Sequence, residues 1–275
     1  MEKKEKTLYV SDLDGTLLNS KKKLPEFTVN TINSLAAQGM LFTYATARSF
    51  VTAREVTRRI SPNIPVIVYN GAFLCDGVSR KVLSSNLFLQ KECDDILSVL
   101  ITHGIYPRVY ALIEGKERFS YSPDHLSKGT RAYLASRRND SRANPCDVNA
   151  LGYGDVFCFS CIDDYGKLVA AYEILKERYQ TLLYRDPYTA EYWLEVLPIS
   201  VSKANAALTL KKMLGCDRLV TFGDEKNDLS MFSVSDASFA VENANEDAKH
   251  AATGVIGSND DDGVAKWLLS AWECL

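Results

Sequence analysis

Thr7–Thr16 reads TLYVSDLDGT, and the rest of the chain is best understood outward from it. Leu8, Tyr9 and Val10 form a short apolar run that suits a strand buried on both faces of a parallel sheet. Asp12 and Asp14 follow with one residue between them, and Gly15 and Thr16 suit a tight turn. Two carboxylates at the end of a buried strand repel each other unless a cation lies between them. Mg²⁺ takes a few carboxylate oxygens and completes its shell with water and phosphate oxygens. Open α/β sheets carry their sites at the carboxyl ends of strands. The stretch therefore predicts a metal-dependent carboxylate site. A solvated Asp-rich turn is the competing reading, and the apolar strand before it weighs against that.

The bulk properties narrow the partners. The 275 residues fit two domains, and 46% hydrophobic with 24% charged residues is ordinary for a soluble globular protein. The formal net charge of -3 offers no basic field to recruit nucleic acid, and Lys21-Lys22-Lys23 reads as a solvated loop. The charged start MEKKEK precedes only a short apolar strand, so neither a signal peptide nor a membrane span is expected. A cytoplasmic monomer or homodimer follows by default. The seven cysteines, an odd number, argue against a secreted disulfide framework. Cys158 and Cys161 form a C-x-x-C open to redox or zinc chemistry. Val156–Ile162 reads as a strand, however, and no second pair stands at zinc spacing, which favours buried structural thiols.

Taken in order, the chain alternates. A helix spans Pro25 to Gln38, with Pro25 in its first turn and Gly39 at its end. A strand, Met40 to Ala45, delivers Thr46-Ala47-Arg48. A helix from Phe50 to Ile60 is stopped by Ser61-Pro62, and the strand Val66–Tyr69 runs into Asn70-Gly71. This βα alternation predicts a parallel sheet. Asp76-Gly77 suits a hairpin turn. From about Ser84 the order becomes α+β: a helix over Glu92–His103, a hairpin around Glu114-Gly115-Lys116, a helix over Leu126–Arg138 and a loop over Asn139–Gly154. A strand over Asp155–Ile162, a helix over Tyr165–Tyr179 and a strand over Thr181–Arg185 complete it. The alternating pattern resumes near Glu191, with a strand ending in Glu195-Val196-Leu197. A helix over Lys203–Leu214 and a strand over Arg218–Phe222 follow, then Gly223-Asp224-Glu225-Lys226-Asn227-Asp228. A helix over Asp228–Phe232, a strand over Phe239–Val241 and helices over Glu246–Ala252 and Asp262–Trp272 close the chain. The domain division expected is 1–83 and 191–275 for the core and 84–190 for an insert. Its links fall near Leu83–Asn86 and Asp186–Ala190, with Pro187 stiffening the second.

Four fragments carry chemistry. They are Asp12 and Asp14, Thr46, Lys203 at the head of a helix, and the GDEKND run. Alone, Thr46 reads as an N-cap, Lys203 as a solvated charge and GDEKND as a polar turn. Together, in this order and spacing, they resemble the haloacid dehalogenase-like (HAD) phosphatases, whose first motif Asp12-Leu13-Asp14-Gly15-Thr16 matches. The insertion point resembles the class IIB (Cof-type) subfamily. The resemblance covers nearly the whole chain. It implies an α/β fold, a Rossmannoid core with a parallel sheet, and an inserted α+β (type C2) cap that sets leaving-group preference.

The resemblance also implies residue roles. Asp12 attacks phosphorus and forms an aspartyl phosphate. Asp14 protonates the leaving alcohol and then takes a proton from water. Thr46 and Lys203 bind phosphate oxygens, and Mg²⁺ is held by Asp12, the backbone carbonyl of Asp14, and Asp224. Asp228 and Asn227 orient these groups from behind. Arg48, Asn70 and Gly71 are expected against the substrate, a small phosphorylated metabolite, with sugar phosphates first. Two departures stand out: Thr46-Ala47-Arg48 where the family has Thr-Gly-Arg, and Lys203-Ala204 where it has Lys-Gly. They bring loop geometry into question, since alanine restricts the backbone. Candidates for leaving-group contact in the cap are Arg108, Tyr110, His125, Arg185 and Tyr188. A phosphosugar mutase of the same architecture and a catalytically weak binding protein are the alternative readings. Asp14 argues against the second, because without it an aspartyl phosphate would be long-lived.

Overall fold

The structure, a computed structural model, describes residues 5–61, 63–186 and 189–273, and every structural statement concerns these. Pro62, Pro187 and Tyr188, singled out from the sequence as helix stop, link and cap candidate, lie outside them. In chain order the elements are β1 (Thr7–Ser11), α1 (Glu26–Ala37), β2 (Leu41–Tyr44), α2 (Phe50–Thr57), β3 (Val66–Val68), β4 (Phe73–Cys75) and β5 (Val82–Ser85). Then come α3 (Gln90–Thr102), β6 (Arg108–Ile113), β7 (Lys116–Tyr121), α4 (Lys128–Ala135), β8 (Ala143–Pro145), β9 (Asp155–Ile162), α5 (Tyr165–Leu175), β10 (Gln180–Arg185) and β11 (Tyr192–Leu197). The last are α6 (Lys203–Leu214), β12 (Arg218–Gly223), α7 (Leu229–Ser233), β13 (Ala237–Val241), α8 (Glu246–Ala251), β14 (Gly254–Ile256) and α9 (Gly263–Glu273). No helix among the described residues is long and apolar enough to cross a membrane.

Two compact units result, one from the chain up to Ser85 and from Val201 onward, the other from Asn86–Ser200. The first is built on a five-stranded sheet of order β14-β13-β12-β1-β2, parallel throughout. β1 lies between β12 and the edge strand β2 and is covered on both faces. Leu8 and Val10 pack with Ala206, Ala207 and Leu210 of α6, while the Tyr9 ring meets Trp267 of α9 edge-on at 6.5 Å. Full burial of Leu8 or Val10 is worth roughly 1.5–3 kcal/mol each. α6 ends where expected, because Gly215 adopts a left-handed conformation (φ 61°) that an L side chain disfavours.

The strand expected at Val66–Tyr69 does not extend the parallel sheet. β3 heads a separate antiparallel sheet, β3-β4-β5, and meets the parallel sheet only through the bridge Ala45–Ile67. Tyr69 and Asn70 take positive φ (51° and 53°) and turn the chain back after three strand residues. β14 was not legible, being three residues long and half-exposed.

The second unit is a six-stranded sheet of order β10-β11-β9-β6-β7-β8, antiparallel except for β7 with β8. β6 and β7 are joined by Glu114-Gly115, both at positive φ (52° and 71°), the backbone of a tight two-residue hairpin. One sheet face carries Val109, Ala111, Phe159, Cys161, Leu194 and Val196 against Ile96 and Leu100 of α3 and Leu168, Ala171 and Leu175 of α5. The segment Glu191–Leu197, expected to restart the core, instead forms β11 between β9 and β10. Its Leu194 and Val196 face the helices while Trp193 and Glu195 face away, the alternation of an antiparallel strand rather than a doubly buried run. The unit therefore ends at Ser200, not Ala190. The link expected near Asp186–Ala190 falls between the paired strands β10 and β11 of this sheet, where the Asp186 amide donates to Glu191 O at 2.8 Å. β8 emerged inside the expected loop Asn139–Gly154.

Cys158 and Cys161 lie three residues apart on β9 and so point to opposite faces, which excludes a shared ion or a dithiol pair. Burial pushes both thiols up from their ordinary value, leaving little reactive thiolate. Thiol-specific labelling of native protein at pH 8, mapped by mass spectrometry, should reach the part-exposed Cys146 and Cys216 first. Cys75, Cys93, Cys158 and Cys161 should react only after unfolding.

Candidate active site

Adjacent parallel strands deliver the acidic groups. The Asp12 amide donates to Phe222 O at 2.9 Å, carrying the β1–β12 ladder one residue past β1. Asp224 follows directly after β12, so the two carboxylates arrive side by side at the strands' carboxyl ends. Lys203 opens α6 behind its N-cap Ser202, whose Oγ accepts from the Asn205 amide at 3.0 Å. Its ammonium, 1% exposed, donates to Asp12 Oδ1 and, at 2.7 Å, to Asp228 Oδ1. The other Asp228 oxygen accepts from the amides of Asp224 (3.0 Å) and Glu225 (3.1 Å), pinning the turn that carries Asp224. Gly223 is required beneath it, since a Cβ there would lie 2.6 Å from the Asp228 carboxylate.

Asp12, Asp224 and Asp228 bring ligand oxygens within 4.8 Å of one another, and all three are buried. The electrostatics follow. Burial foremost drives the Asp12 carboxyl well above its ordinary value, with Asp228 and Asp224 adding to it and Lys203 pulling against it. Burial, assisted by Asp228 and Glu225, pushes Asp224 up to about 7 despite a 2.7 Å hydrogen bond from Thr16 Oγ1. Burial alone would lower Lys203, yet Asp12 and Asp228 outweigh it and hold the ammonium raised. Fully ionised, three carboxylates against one ammonium would leave two negative charges in excess, and the raised Asp12 and Asp224 reflect that cost. Hard oxygen donors in a tight, anionic cluster fit a small divalent cation such as Mg²⁺.

The remaining predicted residues lie on the neighbouring loops of the same unit. Thr46, 1% exposed, lies just past β2, where its amide donates to Ile67 O and its Oγ1 accepts from the Arg48 amide at 3.1 Å. The Asp14 carboxylate stays outside the buried cluster, in a two-point pair with Arg48: Nε to Oδ2 and Nη2 to Oδ1, both 2.6 Å. Arg48, expected against substrate, thus grips Asp14. Asn70 ties the parts together, its amide donating to Thr46 O at 2.9 Å and its Oδ1 accepting from Asn227 Nδ2 at 3.5 Å. Gly71 sets a spacing: at φ 100° a Cβ would lie 2.3 Å from Ser202 O, at the head of α6. Ala47 and Ala204 have ordinary negative φ, so the backbone here does not need the family's glycines.

Sequence reading missed Thr16, Asn243 and Asn245. Thr16 was read as a turn residue closing the first motif, with no contact to Asp224 expected. Asn243 Nδ2 donates to Gly15 O at 2.8 Å, and the Asn245 amide donates to Asp224 O at 3.0 Å, so both brace the acidic turns. Nothing local in SFAVENANED marks them.

Residues 9–268 match the model of the haloacid dehalogenase-like hydrolase family, and the chain belongs to that family. It is a hydrolase on the HAD fold. A 5-amino-6-(5-phospho-D-ribitylamino)uracil phosphatase of Bacillus subtilis (strain 168) is 27% identical over 279 residues, covering 94% of this chain and 95% of that one. A Thermotoga maritima crystal structure superposes with a TM-score of 0.79 at 25% identity, covering 97% of each chain. The HAD subclass IIB sugar phosphatase BT4131 does so with a TM-score of 0.74 at 18% identity, covering 96% of this chain and 98% of that one.

Because folding raises Asp224 above its unfolded value, the native state binds the extra proton between about pH 4 and 7. Stability from this group is therefore full below that window and is lost as pH rises through it. In EDTA at pH 8, Asp224→Asn should raise the melting temperature by about 5 °C, an advantage that vanishes near pH 4. Mg²⁺ should stabilise the wild type at pH 8 and not the variant, read by thermal unfolding.

Proposed function

We propose that the chain is a Mg²⁺-dependent phosphomonoesterase for small phosphorylated metabolites, sugar phosphates foremost, working through an aspartyl phosphate on Asp12. The observation that carries this reading is the buried Lys203 ammonium bridging Asp12 and Asp228, with Asp224 beside them. The Lys203 ammonium pulls Asp12 toward its ionised form, against the burial that raises it, and aims it without using it up in a bidentate pair. Mg²⁺ held by Asp12, Asp224 and the backbone carbonyl of Asp14 would supply positive charge to screen the phosphoryl oxygens.

Asp12 attacks phosphorus and the ester oxygen leaves. Asp14 gives that oxygen its proton, then removes one from the water that hydrolyses the acyl phosphate. The Thr46 hydroxyl and the Lys203 ammonium bind oxygens of the transferred group. Asp228 holds Lys203 and the Asp224 turn, and Asn227 and Asn70 brace the loop beside them. The second unit selects the leaving group. Sugar phosphates rank first because the Bacillus subtilis relative is named for a phosphoribityl compound and the subclass IIB neighbour for sugar phosphates.

Release of inorganic phosphate from p-nitrophenyl phosphate should require Mg²⁺ and cease in EDTA. Asp12→Asn should remove turnover while substrate still binds. Asp14→Asn should slow both steps, by about 10²–10⁴-fold. Absence of Mg²⁺-dependent phosphate release across a panel of phosphorylated metabolites would overturn the assignment.

A further inference from the structure

The three buried carboxylates of the first unit differ in how many oxygens the chain leaves open. Asp228 has none: Oδ1 accepts from the Lys203 ammonium at 2.7 Å, and Oδ2 from the amides of Asp224 and Glu225. Asp12 has one. Its Oδ1 accepts from Lys203, and no donor among the described residues reaches Oδ2. Asp224 also has one. Its Oδ1 accepts from Thr16 Oγ1 at 2.7 Å, and Oδ2 receives no hydrogen bond from the described residues. That open oxygen lies against Gly15, where a Cβ would stand 2.2 Å from it. It therefore sits beside the Asp14–Gly15 peptide, whose carbonyl is the third ligand that the family resemblance implies.

Thr16 imposes the restriction on Asp224 without being needed to form its own turn. The turn closes on backbone alone, the amides of Leu17 and Leu18 donating to Leu13 O at 3.1 and 2.8 Å. Thr16 is 1% exposed, and valine has the same shape and would fill the same space. What threonine adds is one donor, and that donor is spent on Asp224. Hydrogen bonds of this kind orient a ligating carboxylate and tune the metal it holds.

The count of open oxygens decides which cation fits. Mg²⁺ takes one or two carboxylates and keeps several waters, whereas Ca²⁺ gathers about six to eight oxygens and readily takes both oxygens of one carboxylate. With Oδ1 held by the Thr16 hydroxyl, Asp224 offers a cation a single oxygen. Without the hydroxyl, Oδ1 would be left buried with no donor, which is costly. A larger cation relieves that cost by taking both oxygens.

We propose that Thr16 determines the cation selectivity of this site. By holding Asp224 to one open oxygen, its hydroxyl favours Mg²⁺ over Ca²⁺. The proposal rests on the metal-dependent reading above and deepens it, naming the residue that makes the cluster a Mg²⁺ site rather than a Ca²⁺ site.

The test compares wild type with Thr16→Val, which removes the donor and keeps the shape, and Thr16→Ser, which keeps the donor. Each is stripped with EDTA, dialysed, and titrated at pH 8 with MgCl₂ or CaCl₂ in the absence of substrate. The rise of the melting temperature with cation concentration gives an apparent Kd for each ion. Wild type should bind Mg²⁺ at least about tenfold more tightly than Ca²⁺, and Thr16→Val should move that ratio about tenfold toward Ca²⁺. Thr16→Ser should keep the ratio within about twofold of wild type. The ratio is the decisive readout, because a loosened fold or a changed charge on Asp224 weakens both ions alike. Thr16→Ala carries the same expectation as Thr16→Val and takes its place if the valine variant is not folded.

Equal weakening of both ions, an unchanged ratio, or a serine variant that behaves like valine overturns the proposal. So does a wild type that binds Ca²⁺ as tightly as Mg²⁺, or binds neither. A shifted ratio in a protein that releases phosphate from no ester leaves the selectivity standing and overturns the phosphatase reading. Phosphate release with an unshifted ratio does the reverse.

Discussion

Three carboxylates and one ammonium, withdrawn from water within a few ångströms of one another, are the constraint around which the first unit is arranged. Such a cluster opposes folding unless each charge is held by geometry that repays its desolvation. Parallel pairing of β1 with β12 brings Asp12 and Asp224 together. The N-terminus of α6 brings in Lys203, and the Asp228 carboxylate closes its own turn by accepting two amides. The surrounding glycines serve the same end. Gly15, Gly71 and Gly223 stand where a Cβ would strike Asp224, the Ser202 carbonyl and Asp228 respectively. The negative charge left over when all three carboxylates are ionised is charge that a divalent cation would neutralise.

The residues legible in the sequence were those whose chemistry is incongruous in its setting: aspartates after an apolar strand, and a lysine at the head of a helix. The apolar strand Leu8–Val10 and the helix ended by Gly215 were equally clear, since burial on both faces and a left-handed C-terminus leave unambiguous patterns. What escaped depended on partners far away in the chain. The strand Tyr192–Leu197 carries enough apolar side chains to read as core, and only its pairing with β9 and β10 assigns it to the inserted sheet. Val66–Val68 has the composition of a parallel strand, but the positive φ of Tyr69 and Asn70 turns it into a hairpin. Arg48 was expected to face substrate. Its grip on Asp14 arises from two loops brought side by side, which no local pattern encodes.

The inserted sheet divides its labour by face. Its helix-covered side is aliphatic and aromatic, whereas the other side holds Arg108, Ser160, Trp193 and Glu195 on neighbouring strands. Strand alternation makes such a division cheap to vary, because a substitution on one face leaves the packing of the other intact.

The position of β1 has a consequence for how the protein is made. β1 is an interior strand of its sheet, and although β2 soon covers one edge, β12 covers the other only after the whole of Asn86–Ser200 has been synthesised. At about 5–20 residues per second, that edge waits on the order of 10–40 s. During this interval the contiguous second unit can fold by itself, while Leu8–Val10 remain exposed beside an open hydrogen-bonding edge. The nascent chain is therefore most in need of a chaperone at that edge, and the charged residues Glu5 and Lys6, just upstream of the strand, are suited to discourage edge pairing with other chains in the meantime.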